Sequence, residues 1–325
     1  MSTTPQLEQA EPGEDLGSPG PRSSTSYGRG DRLFSGTALA SGLTILVTLA
    51  AVFVFLLLKG FPGFSADPDV YGPSASNFWG YVGRLLFGTT LAAIIALVVA
   101  VPFSFALALF TSHYAPRRLA APIAYVIDLL AAVPSVVFGL WGARTLAVTS
   151  QPVQRWLDAH LGFLPFFHGP VSATGRTILV AGIVLAIMCI PIITAISREV
   201  FKQTPRLHEE AALALGATRW EMVRYAVFPH SRSGMVAAVM LGLGRALGET
   251  MAVAMVMSST PIVTLNLISS TNPATIASNI AANYKAEDNR IQTVLLATGL
   301  VLFLFTFLVN FAARYIAGRG ERAQR

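Results

Sequence analysis

Charged side chains are scarce in this 325-residue sequence. Asp, Glu, Lys and Arg make up 12% of it, against about 25% in a soluble domain. A larger core does not remove that much surface charge, so an ordinary water-soluble fold is excluded. Most of the chain is built to meet a solvent other than water. Cysteine is almost absent. The single Cys189 sits in an apolar run, has no partner for an internal disulfide and reads as a small packing residue. The five histidines, His113, His160, His168, His208 and His230, show no metal-ligand spacing, and His160 and His168 are expected on loop surfaces. No G-x-x-x-x-G-K-S/T loop occurs. The nearest run ends Gly248-Glu249-Thr250, with Leu243 at the place of the first glycine and Glu249 at that of the lysine. The phosphate cradle that such a loop builds for ATP is therefore missing, and ATP hydrolysis would belong to another subunit. No nucleophile, metal set or acid–base pair stands out beyond Arg245 and Glu249, which leaves a membrane enzyme with little support.

What the sequence has in quantity is apolar length. Hydrophobic residues make up 53% of it. Six apolar segments, about 37–58, 85–111, 119–142, 177–197, 233–258 and 292–315, each approach the roughly 20 residues that a helix needs to cross hydrocarbon. The expectation is an all-α integral membrane protein with six transmembrane helices, because helices satisfy their own backbone groups in lipid. The membrane domain spans 33–317. Residues 1–32 are polar, rich in Pro, Gly and Ser, and read as a disordered cytoplasmic tail. They do not read as a signal peptide, since the first long apolar run begins too late. Residues 318–325 read as a second cytoplasmic tail. With the N-terminus inside, fifteen of the 23 Lys and Arg fall in inner segments, seven in outer ones, and Arg245 lies within the membrane. That bias places both termini in the cytoplasm.

The longest inner loop, 198–232, predicts two short amphipathic helices, about 205–215 and 218–227. Gly216 stands where the first would end, in the left-handed conformation that glycine tolerates. Thr218 is an N-cap for the second, with Glu221 three residues on as its capping-box partner. Pro229 separates that helix from the fifth span. The residues alone leave two uses open: a loop lying on the membrane surface, or a docking surface.

Ionisable residues inside the apolar segments are costly and mark interior or wet faces. Arg245 and Glu249 are four apart, which on a continuous helix puts them on one face. They form either a structural ion pair or an oxyanion site, for which arginine offers a permanent charge and a two-donor fork. Gly244 and Gly248 make a GxxxG pair that admits a close neighbouring helix. Asp128 in the third segment lies at a depth comparable to Arg245. It pairs with that residue, faces an inner wet surface, or bonds to a helix end near the inner interface.

Four segments carry a resemblance. Glu210-Ala211-Ala212, Gly216 and Pro229 resemble the EAA loop of ABC importer permeases, with Ala226 and Phe228 in place of that family's usual isoleucine and leucine. The runs Gly244 to Val253 (GRALGETMAV) and Ala131 to Gly142 (AAVPSVVFGLWG, containing Pro134 and Ser135) resemble the PstC permeases of phosphate importers, as does Pro273 to Tyr284. The likeness covers about 35–317. It implies a type I (MetI-like) importer fold with cytoplasmic coupling helices in the bacterial inner membrane. It implies a role as one half of a phosphate path, with Arg245 and Glu249 in that path and Glu210 facing an ATPase. Pro134, Ser135, Gly244 and Gly248 become helix-packing positions. The implied partners are a PstA-type permease, two PstB-type ATPases that hold ATP and Mg²⁺, and a PstS-type phosphate-binding protein. This chain itself would bind no cofactor. The sister PstA type shares a similar proline–serine run and GRALGET core. Other oxyanions, such as sulfate or molybdate, and an ATP-independent channel or secondary transporter are the competing readings. The coupling loop opposes the last.

Overall fold

In an apolar solvent every backbone N–H and C=O must find a partner within the chain, and helices meet that demand segment by segment. The structure, a computed structural model, describes residues 29–71, 75–285 and 288–322, and among them the regular structure is helical apart from one isolated bridge between Ser259 and Asn272. The long helices are α1 (Arg29–Gly60), α2 (Phe78–Leu109), α6 (Ile178–Lys202), α9 (Phe228–Gly248) and α12 (Asn289–Arg322). Shorter ones are α3 (Arg117–Ala131), α4 (Ser135–Trp141), α5 (Ala147–Leu161), α7 (Arg206–Ala214), α8 (Arg219–Met222), α10 (Met251–Val256) and α11 (Ile276–Asn283). Most of the expected disordered tail, residues 1–28, lies outside the described residues, but 29–32 already belong to α1. At the other end α12 carries helix on to Arg322, and residues 323–325 lie outside the description.

Among the described residues four helical stretches are long and apolar enough to span a membrane: Leu33–Ser65, Phe78–Tyr114, Ile178–Lys202 and Asn289–Tyr315. The third and fifth expected spans are not single helices. The third breaks at Ala132–Pro134, and the two arms, Arg118–Ala131 and Ser135–Leu161, meet at 90°. Proline removes a helical donor and disfavours helical backbone in the residue before it. Pro134 therefore stands ahead of α4 rather than inside a continuous span. The second arm runs far past the expected end at 142, through a π-helical turn at Gly142–Leu146 and into α5. The fifth breaks after Gly248: Glu249 is extended (φ −70°, ψ 127°) and helix resumes at Met251.

Residues 29–51, the first part of α1, present apolar side chains such as Leu39, Ile45 and Leu46 to the surroundings. From residue 52 onward the chain packs around α2 and α6. Small residues of α2 (Ala92, Ala93, Ala96, Ala100) let the backbones approach, and Val184, Leu185, Met188 and Ile193 of α6 fill the seam. Small-residue seams of this kind hold membrane helices together where no hydrophobic effect operates between them. Ser104 Oγ of α2 adds a bond to Ile190 O of α6 at 3.3 Å. The two broken segments pack on one another: a Cβ on Gly139 of α4 would lie 2.7 Å from the Ala252 Cα of α10. One end of the bundle carries an aromatic cluster, Phe64, Tyr71, Phe78, Trp79 and Tyr81. The other end carries a cluster of Ala108, Leu109, Phe201, Met222, Val223 and Val227, which ties the 198–232 loop to the ends of α2 and α6.

Candidate functional site

The loop 198–232 folds almost as its local chemistry dictates. Helix α7 ends at Ala214, and Gly216 takes φ +85° while its N–H reaches Leu213 O at 3.0 Å. The next helix begins with a full capping box. Thr218 Oγ1 accepts from Glu221 N at 3.3 Å, and Thr218 N donates to Glu221 Oε2 at 2.8 Å. These bonds to Thr218 favour the ionised carboxylate and hold the Glu221 pKa below its ordinary value. Pro229 does not separate this helix from the next. α8 runs through a π-helical turn at Val223–Val227 straight into α9, and Phe228 N–H bonds back to Val223 O. A proline cannot donate to the carbonyl four residues back and its ring crowds that carbonyl. The wider π turn places the irregularity just ahead of Pro229 and lets the helix continue.

The two adjacent glutamates of α7 face different ways. Glu210 is exposed, as is Ala211, whereas Ala212 packs against the Phe201–Val227 cluster. Glu209 turns inward, and its Oε1 lies 3.4 Å from His113 Nε2 at the end of α2. His113 Nδ1 in turn meets Ser112 Oγ at 2.7 Å. Large apolar side chains stand out from the loop: Leu207, Leu215, Trp220 and Tyr225 are all more than half exposed. Exposed apolar side chains of this kind suit contact with a protein or with the membrane surface. Nothing in the sequence marked His113, since its partner is almost a hundred residues away.

Arg245 is in the last turn of α9 and lines a groove of about 740 Å³ formed with residues of α6 and α12. Its Nε is buried and has no hydrogen-bond partner. Glu249 does not share its helical face, because α9 ends at Gly248. The Glu249 carboxylate Oε1 instead accepts from Ala252 N at 3.2 Å and caps α10. Asp128 is also elsewhere. Its nearest cation is Arg198 of α6, with Nη2 to Oδ2 at 3.9 Å. Neither carboxylate lines the groove. Among the described residues, a Cβ on Gly244 or Gly248 finds nothing within 4 Å, so the GxxxG pair makes no close helix approach there. The close approach between α9 and α6 falls at Gly242, where a Cβ would lie 2.6 Å from Ile193 Cδ1. Pro134 and Ser135 mark the α3–α4 break. Sequence reading missed Asn310 and Arg314 of α12, which line the same groove as Arg245. Arg314 resembled an ordinary loop cation at the end of a span.

His160 and His168 are both exposed, but His160 lies in the last turn of α5 rather than on a loop. Among the described residues no group of three His, Cys, Asp or Glu is placed to hold a metal.

A model of the family "Binding-protein-dependent transport system inner membrane component" matches residues 100–321. The chain is 47% identical over 301 residues to "Phosphate transport system permease protein PstC 2" of Mycobacterium tuberculosis, covering 89% of this chain and 92% of that one. It is 37% identical over 306 residues to the PstC permease of Haemophilus influenzae, covering 90% and 95%. In fold it is similar to a chain of a bacterial ABC transporter involved in import of the acidic polysaccharide alginate. The TM-score there is 0.59 at 14% identity, covering 89% of this chain and 96% of that one. It is also similar to a chain of the MetNI methionine ABC transporter in inward-facing form. That match has a TM-score of 0.50 at 17% identity and covers 74% and 94%.

Proposed function

We infer, from the premise that this chain belongs to the binding-protein-dependent inner-membrane permeases and among them to the PstC phosphate permeases, how it carries its anion. It is a multi-pass membrane protein and a permease subunit of a phosphate ABC importer, a transport subunit rather than an enzyme. The finer reading is as follows. Arg245 is the fixed cation of the phosphate path, and the groove it lines is this subunit's half of that path. The observation that carries this is the buried, partnerless Nε of Arg245 on a groove lined by no carboxylate. A charge so placed is expensive unless it serves an anion or an ion path. A guanidinium holds an oxyanion by two donors at once.

The groove lies open along α9, where nothing among the described residues comes within 4 Å of a Cβ on Gly244. That supports a PstA-type permease as the second wall. The exposed face of α7, with Glu210, Ala211, Leu207 and Leu215, supports docking to one of two PstB-type ATPases, on which ATP and Mg²⁺ are bound. A PstS-type protein delivers phosphate from the opposite side. Both termini and the 198–232 loop then lie in the cytoplasm, a placement that the charge bias of the loops supports. Motion of the ATPase reaches the membrane part through the Val223–Val227 turn into α9, and through Glu209 to His113 in the π-helical turn Phe110–Tyr114 that follows α2.

The test is ATP-driven phosphate uptake into vesicles holding the assembled complex. Arg245→Gln is expected to abolish uptake with assembly intact, and Arg245→Lys to restore it poorly because the fork is lost. Uptake at the wild-type rate by Arg245→Gln would falsify this path.

A further inference from the structure

The groove that holds Arg245 also holds a second guanidinium, that of Arg314, with the amide of Asn310 on the same helix. Ser233, near the start of α9, and Arg314, at the end of the apolar part of α12, mark one end of the groove. Arg245 lies twelve residues beyond Ser233, about 18 Å along the helix at about 1.5 Å per residue. Arg314 is exposed where Arg245 is half-buried. Asn310 Nδ2 spends one N–H on Thr306 O at 2.9 Å, and an amide nitrogen has a second to offer. With two cations and no Asp or Glu among its lining residues, the groove draws anions along its length.

We propose that Arg314, aided by Asn310, is a second oxyanion station that takes phosphate from Arg245 and releases it at the mouth of the groove. This rests on the reading of Arg245 as the path cation. A single arginine deep in the groove holds an anion with nothing to pull it off. A second cation nearer water lowers the free energy of the next position. Hydration then weakens the hold of an exposed guanidinium, so the anion leaves. The chemistry here is that of a phosphate oxyanion, which free phosphate and an anionic lipid headgroup share, and the experiment separates the two.

The assembled complex is reconstituted in vesicles of zwitterionic lipid alone and in vesicles containing phosphatidylglycerol. ATP-driven uptake of labelled inorganic phosphate is then followed against its outside concentration. Arg314→Gln is expected to lower the maximal rate severalfold in both lipids with an unchanged KM. Arg314→Lys should keep most of the rate, since at an exposed site the charge matters more than the fork. Asn310→Asp places a carboxylate four residues before Arg314, where it pairs with the guanidinium, and should slow uptake in the same way. That variant carries the test if Arg314→Gln does not assemble. A wild-type rate in Arg314→Gln overturns the proposal. So does a loss seen only with phosphatidylglycerol, which makes the residue a lipid site, or a raised KM with full maximal rate, which places it on the loading side. If Arg245→Gln is inactive while Arg314→Gln is normal, only the second station falls. If Arg245→Gln itself transports normally, the path reading falls first.

Discussion

Glu249 and Arg245 are four positions apart, and the helix end between them gives them separate work. The Glu249 carboxylate holds the N–H of Ala252 in the first turn of α10, and α10 in turn packs on α4 at Gly139. Glu249→Gln keeps an oxygen that accepts this bond and loses only the charge. Glu249→Ala loses both, and removal of such a cap costs about 1 kcal/mol. The expected order is near-normal phosphate uptake and thermal stability in Glu249→Gln, with both reduced in Glu249→Ala. If Glu249→Gln is as inactive as Glu249→Ala, the charge is what counts, and Glu249 works with Arg245 on the anion. The same separation applies to Asp128, whose charge goes to Arg198. Arginine and acid positions were plain from their rarity in apolar segments. Their pairing was not, because it depends on where helices stop and which faces meet.

Among the elements, the coupling loop answers most directly to local rules. Gly216 ends α7 at φ +85° with open space around the position of a Cβ. A side chain there meets no neighbour, so the whole penalty is backbone strain. A β-branched residue opposes the left-handed turn by about 1 kcal/mol or more. Gly216→Val should therefore insert and assemble, yet re-aim α7 and lower ATPase activity coupled to phosphate. Full coupled activity in that variant would show that the bend does not set the docking geometry. The glycine signal, the Thr218–Glu221 box and the limits of α7 were legible because each is a contact within a few residues. Pro229 misled for the opposite reason. Its rule concerns an ideal α-helix, and the π turn that accommodates it is fixed by packing of Val223 and Val227 against Phe201. The break at Pro134 lay inside an unbroken apolar run, and hydropathy does not register direction.

At the scale of the whole molecule, one chain offers one coupling loop and one side of a groove. An importer driven by two ATPase sites needs two of each. On the proposed reading, the open groove and the Gly244–Gly248 face are where a second permease with a complementary face would pack. Purification from cells expressing this chain with a PstA-type partner and a PstB-type ATPase should give the two permeases in equal amounts. A fully active transporter containing this chain as its sole permease would remove the need for that partner.

Scarce charge and long apolar segments were sufficient, without coordinates, for a helical membrane protein, and the resemblance of a few short runs pointed to a phosphate permease. Solvent preference and short-range caps are written residue by residue and need no partner from afar. Tertiary structure alone decided the rest. It bent the third segment by 90°, ended α9 before Glu249, sent Glu209 to His113 and brought Arg314 onto the groove of Arg245. These are meetings of residues distant in the chain, set by which helix faces fit closely enough to exclude lipid, and no local pattern encodes that fit.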